Sequence, residues 1–300
     1  MKRVRESLAG NRERERRRKT VRVRLLIHGS MRGKFNMAVD EAIQRACQRG
    51  EVPPTLRFYA WDPACLSLGY FQDVEREVNL DGLRELGVDL VRRPTGGKAV
   101  LHDDELTYSV VIPEKDLKGS VLETYQELSK ALVRGIVSLG IPAELAALEH
   151  GVTMRDQRFR QAACFSAPSW YEVVASGKKI VGSAQVRKNG VILQHGSIPF
   201  VFDSRKVTKC LKTSSPEHAA KIESMLSKKA SGLCQVLGRR ISREELQRHL
   251  ILGFQETLGW EIVPGSLTRN EILEAVELSQ EKYGKDSWTL ERGRPSGELY

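Results

Sequence analysis

Residues 21–27 alternate apolar and charged side chains from Val21 to Leu25 and then run apolar through Leu26 and Ile27, which predicts a strand as the first ordered element. A helical period follows. Met37, Val39, Ile43 and Cys47 share one side of residues 37–49, with Asn36 placed as N-cap and Gly50 as stop signal. Strands are predicted at residues 55–59, 66–70, 89–93 and 106–112, with a short helix at 78–86 between the second and third of them. Residues 121–139 carry a strong helical period closed by Gly140 and Pro142. Residues 171–175 and 180–186 are rich in β-formers, and Asn189-Gly190 lies between strand-suited residues 180–187 and 191–198, a hairpin signal. After Ser215-Pro216 the pattern turns helical. Ser242 with Glu245, and Thr268 with Glu271, have capping-box spacing and begin the last two helices.

This order predicts an α+β fold, a mixed β-sheet packed with helices and closed by a helical C-terminal segment, rather than regular βαβ units. The expected organisation is a basic, disordered extension over residues 1–20, a main domain over 21–262, and a C-terminal helix and tail over 263–300. There is no internal repeat. With 300 residues, 40% of them hydrophobic and 29% charged, the chain can bury a sizeable core.

Charge changes the picture less than its total suggests. Residues 1–20 hold nine Lys/Arg against three Glu, so six of the ten net positive charges lie in that extension. Such a segment reads as a solvated tail, and no nucleic-acid partner is expected. Local basic spots in the body suit an acidic partner or a phosphate group. No apolar run approaches the roughly 18 residues of a membrane span, and no apolar stretch follows the basic N-terminus as in a secretory signal, so a cytoplasmic protein with no membrane partner is expected. The five cysteines, Cys47, Cys65, Cys164, Cys210 and Cys234, are odd in number and scattered without a C-x-x-C, which argues against disulfides and against a metal site.

Familiar signatures fail: the chain has no Walker A loop, no G-x-G-x-x-G, no H-E-x-x-H and no G-x-S-x-G. Two other segments carry candidate chemistry. Arg92-Arg93-Pro94-Thr95-Gly96-Gly97 leaves a predicted strand with two cations and two glycines that permit close backbone approach to a ligand, and His102 follows after three apolar residues. Cys164 sits in Ala163-Cys164-Phe165-Ser166-Ala167-Pro168-Ser169, where Pro168 and Ser169 break regular structure. Local chemistry alone favours an inert, packed thiol. Lys179, fifteen residues on, introduces a cation that would favour thiolate if its strand returned past the cysteine. Val181, Gly182, Ser183 and Ala184 continue that strand with small and apolar side chains, and Gln194-His195-Gly196-Ser197 would line a pocket if the two strands were neighbours.

These residues resemble the superfamily of lipoate-protein ligases, octanoyltransferases and biotin-protein ligases. The resemblance runs through Phe35-Asn36-Met37-Ala38-Val39-Asp40-Glu41-Ala42, Leu66-Ser67-Leu68-Gly69-Tyr70-Phe71-Gln72, residues 92–102, Glu105-Leu106-Thr107-Tyr108-Ser109-Val110 and residues 177–184, covering roughly residues 25–260. Within it, the stretch from Cys164 to Glu172 and Gln194-His195-Gly196-Ser197-Ile198 resemble the octanoyltransferases of Gram-positive bacteria, as does the closing Glu281-Lys282-Tyr283-Gly284-Lys285-Asp286-Ser287-Trp288. Ser166, where that family has Asp, and the basic extension depart from it.

The resemblance implies an acyltransferase that takes octanoate from octanoyl acyl carrier protein onto Cys164 as a thioester. It then passes the acyl group to a lysine of a lipoyl domain, especially the glycine cleavage H protein. Lys179 is implied as the group that lowers the cysteine pKa. Residues 92–102, with Arg92, Arg93, Thr95, Gly96, Gly97 and His102, and strand residues Val181, Gly182, Ser183, Ala184, His195 and Gly196, are implied as substrate-binding. Transfer from thioester to thioester to amide needs no cofactor, and a monomer suffices. Three alternatives stay open: an ATP-dependent lipoate-protein ligase, an octanoyl amidotransferase, and a non-catalytic module binding nucleic acid or acyl carrier.

Overall fold

The computed structural model describes residues 20–147 and 171–291. β1 (Arg22–Met31) opens the fold, as its alternation predicts, and runs parallel to both β2 (Thr55–Trp61) and β11 (Glu261–Pro264). Next to these lie β6 (Glu105–Pro113), β10 (Val191–Pro199), β9 (Lys178–Lys188), β8 (Tyr171–Ala175) and β7 (Ala143–Ala147), giving an eight-stranded mixed sheet in the order β11-β1-β2-β6-β10-β9-β8-β7. A smaller sheet, β4-β3-β5, is made by β3 (Cys65–Leu68), β4 (Asp89–Arg92) and β5 (Val100–His102). β5 was not expected. Three residues are too few to show a period of two against the flanking glycines.

The β9–β10 hairpin follows from its turn. Asn189 and Gly190 have φ of 48° and 74°, the left-handed pair that a tight hairpin requires, and this fixes the register from Val191↔Lys188 to Ser197↔Gly182.

α1 (Gly33–Gln48) begins before its expected N-cap. Arg32 holds that position, and the buried Asn36 side chain instead donates to the carbonyls of Met31 and Ala60 at 3.1 and 2.9 Å, fastening the first turn to β2. The helix expected at 78–86 is α3 (Leu80–Leu86), preceded by an unexpected short helix, α2 (Val74–Glu77); the two stay separate because Asn79 caps α3 through the Gly82 N–H and Val78 bridges to Leu211. α4 (Val121–Ser138) starts at a full capping box of Ser120 and Glu123. Two short helices, α5 (Ser204–Cys210) and α7 (Leu233–Leu237), flank α6 (Pro216–Lys229), whose N-cap is Ser215.

Of the two capping-box expectations one is complete. Thr268 and Glu271 cap α9 (Arg269–Glu281) reciprocally, whereas at α8 (Arg243–Leu258) Ser242 accepts from the Glu245 N–H while the Glu245 side chain turns to Arg239. A further short helix, α10 (Asp286–Thr289), closes the described chain, so α8 and α9 are not the last two.

Three cores hold these layers. α4 and α8 cover one face of the large sheet over Leu56, Phe58, Tyr108 and Ile180. α1 and α9 cover the other over Leu26, Tyr59, Val111 and Leu193. α2, α3, α5 and α6 pack on the small sheet around Leu66, Leu68 and Leu226. The C-terminal segment from residue 263 shares the second core, and β11 spans residues 261–264. Glu271 on α9 forms a buried pair with Arg24 of β1 at 2.6 Å, and Glu41 of α1 accepts from Tyr283 and Lys282 at 2.6 and 2.7 Å. Removing one member of such a buried pair costs about 3–5 kcal/mol, so these contacts fix the C-terminal segment firmly. No helix among the described residues is long and apolar enough to cross a membrane.

Candidate active site

The β9–β10 hairpin and the small sheet line a narrow, partly open cavity. Of the residues singled out from sequence, Arg93, His102, Gly182, Ser183, Ala184, His195 and Gly196 line it. Register is what brings the two strands' contributions together: Ser183 lies opposite Gly196 and Ala184 opposite His195. Gly196 must lack a side chain. A Cβ there would sit 2.6 Å from both Ser183 Oγ and Tyr108 Cε1, and those two residues use the space to join Tyr108 Oη to Ser183 Oγ at 2.8 Å.

Around the cavity runs a buried chain of hydrogen bonds. Arg93 Nε donates to Thr95 Oγ1 at 3.1 Å, Thr95 Oγ1 meets His195 Nε2 at 2.7 Å, and His195 Nδ1 meets Asp40 Oδ2 at 3.3 Å. An ionised Asp40 can only accept, so Nδ1 carries the proton and Nε2 accepts from the Thr95 hydroxyl. Burial holds His195 below the usual histidine pKa against the pull of Asp40, which keeps this neutral tautomer. Burial alone would raise the Asp40 pKa. The Arg57 guanidinium, 2.6 Å away, and His195 outweigh it and hold the carboxyl below the usual carboxylate range. Tyr59 Oη and Ser109 Oγ also donate to Asp40, at 2.9 and 3.0 Å.

Arg93 organises the glycine segment as well. Its guanidinium donates to the carbonyls of Ser67, Gly96 and Lys98 at 2.9, 2.7 and 2.9 Å, so the loop curls around the side chain. Gly97 takes φ +91°, and its carbonyl packs so closely on Gly69 that a Cβ on Gly69 would overlap it. Thr95, Gly96 and Gly97 therefore shape the loop behind the wall rather than line the cavity.

His102 stacks on Trp61 with ring centroids 4.0 Å apart, and its Nε2 lies 2.8 Å from Ser67 Oγ. Its Nδ1 is 3.0 Å from Glu105 Oε1 but lacks the alignment of a hydrogen bond. Glu105 is fully buried and also accepts from Thr107 and Ser197. Met37, Tyr59, Trp61 and Val100 give the cavity an apolar floor suited to a hydrocarbon chain.

Arg92 faces elsewhere. Its guanidinium donates to five carbonyls, of Gly69, Tyr70, Gln72, Trp288 and Thr289, at 2.7–3.1 Å, and Trp288 Nε1 donates back to the Arg92 carbonyl. It ties the β3–α2 loop to α10. Val181 belongs to the core under α4.

Lys179 is 4% exposed and pairs with Glu172 at 3.0 Å. It lies outside the cavity wall, three residues before Gly182 on β9. A bulge separates them: one step on β8, from Val174 to Val173, is matched by two on β9, from Lys179 to Val181. A bulge re-aims the side chains on either side of it. Cys164 and Ser166 lie outside the described residues.

Sequence reasoning passed over Asp40, Tyr59, Trp61, Ser67, Glu105 and Thr107 as site residues. Asp40 left one signal, a carboxylate one turn from Met37 and Ile43 on the apolar face of α1, where an unpaired charge would be costly.

The lipoyl protein ligase A/B catalytic domain model matches residues 32–255. The octanoyltransferase LipM of Symbiobacterium thermophilum is 44% identical over 269 residues, spanning 90% of this chain and 98% of that protein, and the octanoyltransferase LipM of Kyrpidia tusciae is 46% identical over 271 residues with the same coverage. Among solved structures, the bipartite lipoate protein ligase from an archaeal lipoylation system of Thermoplasma acidophilum matches with a TM-score of 0.77 and 28% identity, covering 92% of this chain and 99% of that one. A lipoate-protein ligase A bound with ATP matches with a TM-score of 0.73 and 28% identity, covering 91% and 100%. The chain belongs to the lipoyl protein ligase A/B catalytic-domain family, in the branch of the octanoyltransferase LipM proteins.

Proposed function

We propose that the chain transfers an octanoyl group from octanoyl acyl carrier protein to a lysine of a lipoyl domain, the glycine cleavage H protein foremost, through a thioester on Cys164. The observation that carries this reading is the arrangement of β9, on which the buried cation of Lys179 precedes by three residues the small side chains of an apolar-floored cavity. The other four cysteines support it by elimination. All are buried, and burial pushes the thiols of Cys47 and Cys210 up to about 11 and that of Cys65 well above the usual thiol range, so thiolate is scarce at each of these three.

In the first step the Cys164 thiolate attacks the donor's thioester carbonyl, a new C–S bond forms, the donor's C–S bond breaks, and the carrier leaves as its thiolate. Lys179 stabilises the thiolate. In the second, the acceptor amine attacks the Cys164 thioester, the amide C–N bond forms, the C–S bond breaks, and the proton lost by the amine restores the thiol. Burial of the octanoyl chain, at about 0.8 kcal/mol per CH₂, contributes several kcal/mol to binding.

The test is intact-protein mass spectrometry after mixing with octanoyl acyl carrier protein and no ATP. An added octanoyl mass on Cys164, absent in Cys164→Ala, is expected. Unmodified wild-type protein beside an intact donor overturns the reading. The structural likeness to an ATP-bound lipoate-protein ligase A favours a second reading, ATP-dependent attachment of free lipoate, and lipoylation that requires ATP and survives Cys164→Ala would establish it.

A further inference from the structure

Residues 204–229 hold seven Lys/Arg against two Glu, more than the whole positive excess of residues 21–300. Part of this charge is spent internally. Lys206 pairs with Asp103 and Lys209 with Glu85, both at 2.6 Å, and Lys212 donates to the Glu75 carbonyl. α6 is different. It buries Ile222 and Leu226 against the small-sheet core, so the helical period turns Lys221, Ser224, Met225, Lys228 and Lys229 outward along one open groove with no carboxylate among them. Lys221 and Lys228 form no ion pair among the described residues.

The helix dipole favours lysines in the last turn. It explains neither Lys221, seven residues before Lys228, nor a groove whose lining among the described residues holds no carboxylate. The groove also points somewhere. Ala230, directly after α6, bridges to Lys179, Ser231 N donates to the Lys179 carbonyl at 3.1 Å, and Lys178 Nζ donates to the Ser227 carbonyl at 2.9 Å. The lysine face thus ends on the strand that carries Lys179.

We propose that this face of α6 docks an acidic carrier protein bearing the acyl thioester, so that its prosthetic arm is delivered at the Lys179 end of β9. The proposal rests on the octanoyl-transfer reading above. Charge complementarity selects the occupant, since the outward ammonium groups of Lys221 and Lys228, in no ion pair among the described residues, attract a negative protein surface and speed its encounter.

The experiment compares wild type with a Lys221→Glu, Lys228→Glu, Lys229→Glu triple variant in single-turnover octanoyl loading, without acceptor. Two donors are used, octanoyl acyl carrier protein and the uncharged octanoyl-pantetheine thioester, across a salt series. Loading from the carrier is expected to fall roughly tenfold or more and to lose its salt dependence, while loading from octanoyl-pantetheine stays at the wild-type rate. Equal loading from the carrier by both proteins overturns the proposal, as does an equal loss with both donors. So does unchanged loading with slowed transfer to a lipoyl domain, which would assign the face to the acceptor. If wild type loads from neither donor, the octanoyl-transfer reading fails instead.

Discussion

Asp40 on α1 and His195 on β10, separated by 155 residues in sequence, meet at 3.3 Å, and the proton on that contact leaves the Nε2 that faces Thr95 as an acceptor. Asp40 also neutralises the fully buried Arg57. Asp40→Asn keeps the size and removes the charge that serves both. It is expected to lower unfolding stability by about 3 kcal/mol in urea titrations, because a buried guanidinium loses its counter-charge. Octanoyl loading should slow by roughly tenfold even where the protein remains folded, since a misplaced catalytic or binding wall costs rate. A variant as stable as wild type would show that Arg57 finds its counter-charge elsewhere.

The second relationship is the crossing of Gly69 and Gly97. Gly69→Ala forces the Gly96–Gly97 loop away from β3, because the neighbour that must yield is backbone. Overpacking of this kind costs about 1–3 kcal/mol, and Arg93 then loses its seat on the Gly96 and Lys98 carbonyls. Differential scanning calorimetry should show the loss, and octanoyl loading should fall further than stability alone explains. Gly87→Ala is a useful control: the site is a left-handed helix cap that does not line the cavity and meets no neighbour, so only backbone strain is added.

Lys179→Met tests the electrostatic part of the mechanism. On the proposed pairing of Lys179 with Cys164, removal of the cation should raise the pH at which Cys164 is alkylated by iodoacetamide, by about one unit or more. Lys179→Arg should restore much of the shift. An unchanged alkylation profile in Lys179→Met would remove Lys179 from the chemistry and leave it as the partner of Glu172.

Stability should also respond to mild acid through His28. Burial and then Arg57, whose Nε donates to His28 Nδ1 at 3.0 Å, depress its pKa from 6.5 to about 4. Above pH 6.5 both folded and unfolded chains hold a neutral imidazole. As pH falls from 6.5 toward 4 the unfolded chain takes up a proton that the folded one refuses, so the folded state loses stability across that window. The side chain is partly exposed, and screening reduces the effect to about 1 kcal/mol. Urea midpoints measured at several pH values should reveal this slope, and His28→Asn should flatten it.

The chain disclosed its long elements well because period and punctuation agreed. α4, between Ser120 and Gly140, and the Asn189-Gly190 hairpin are local in origin and emerge as expected. Contacts that join distant segments were not legible. β5 is held by pairing to β3, α1 begins early because Asn36 reaches β2, and β11 exists because residues far away on β1 offer it an edge. The site divides in the same way. His102, His195 and Gly196 announce themselves by residue type, but the inward turn of Arg93 and the outward turn of Arg92 depend on which carbonyls surround each guanidinium. Two adjacent arginines with the same chemistry in sequence thus take opposite parts in the fold.

That division has a bearing on biosynthesis. The carbonyls that close around Arg92 include those of Trp288 and Thr289, 196 and 197 residues further along the chain. A nascent polypeptide can pair β3 with β4 long before those residues leave the ribosome, yet Arg92 stays short of acceptors until they arrive. The loop that carries Gly69 and braces the glycine segment therefore lacks two of the five carbonyls that hold Arg92 in any chain that ends before Trp288.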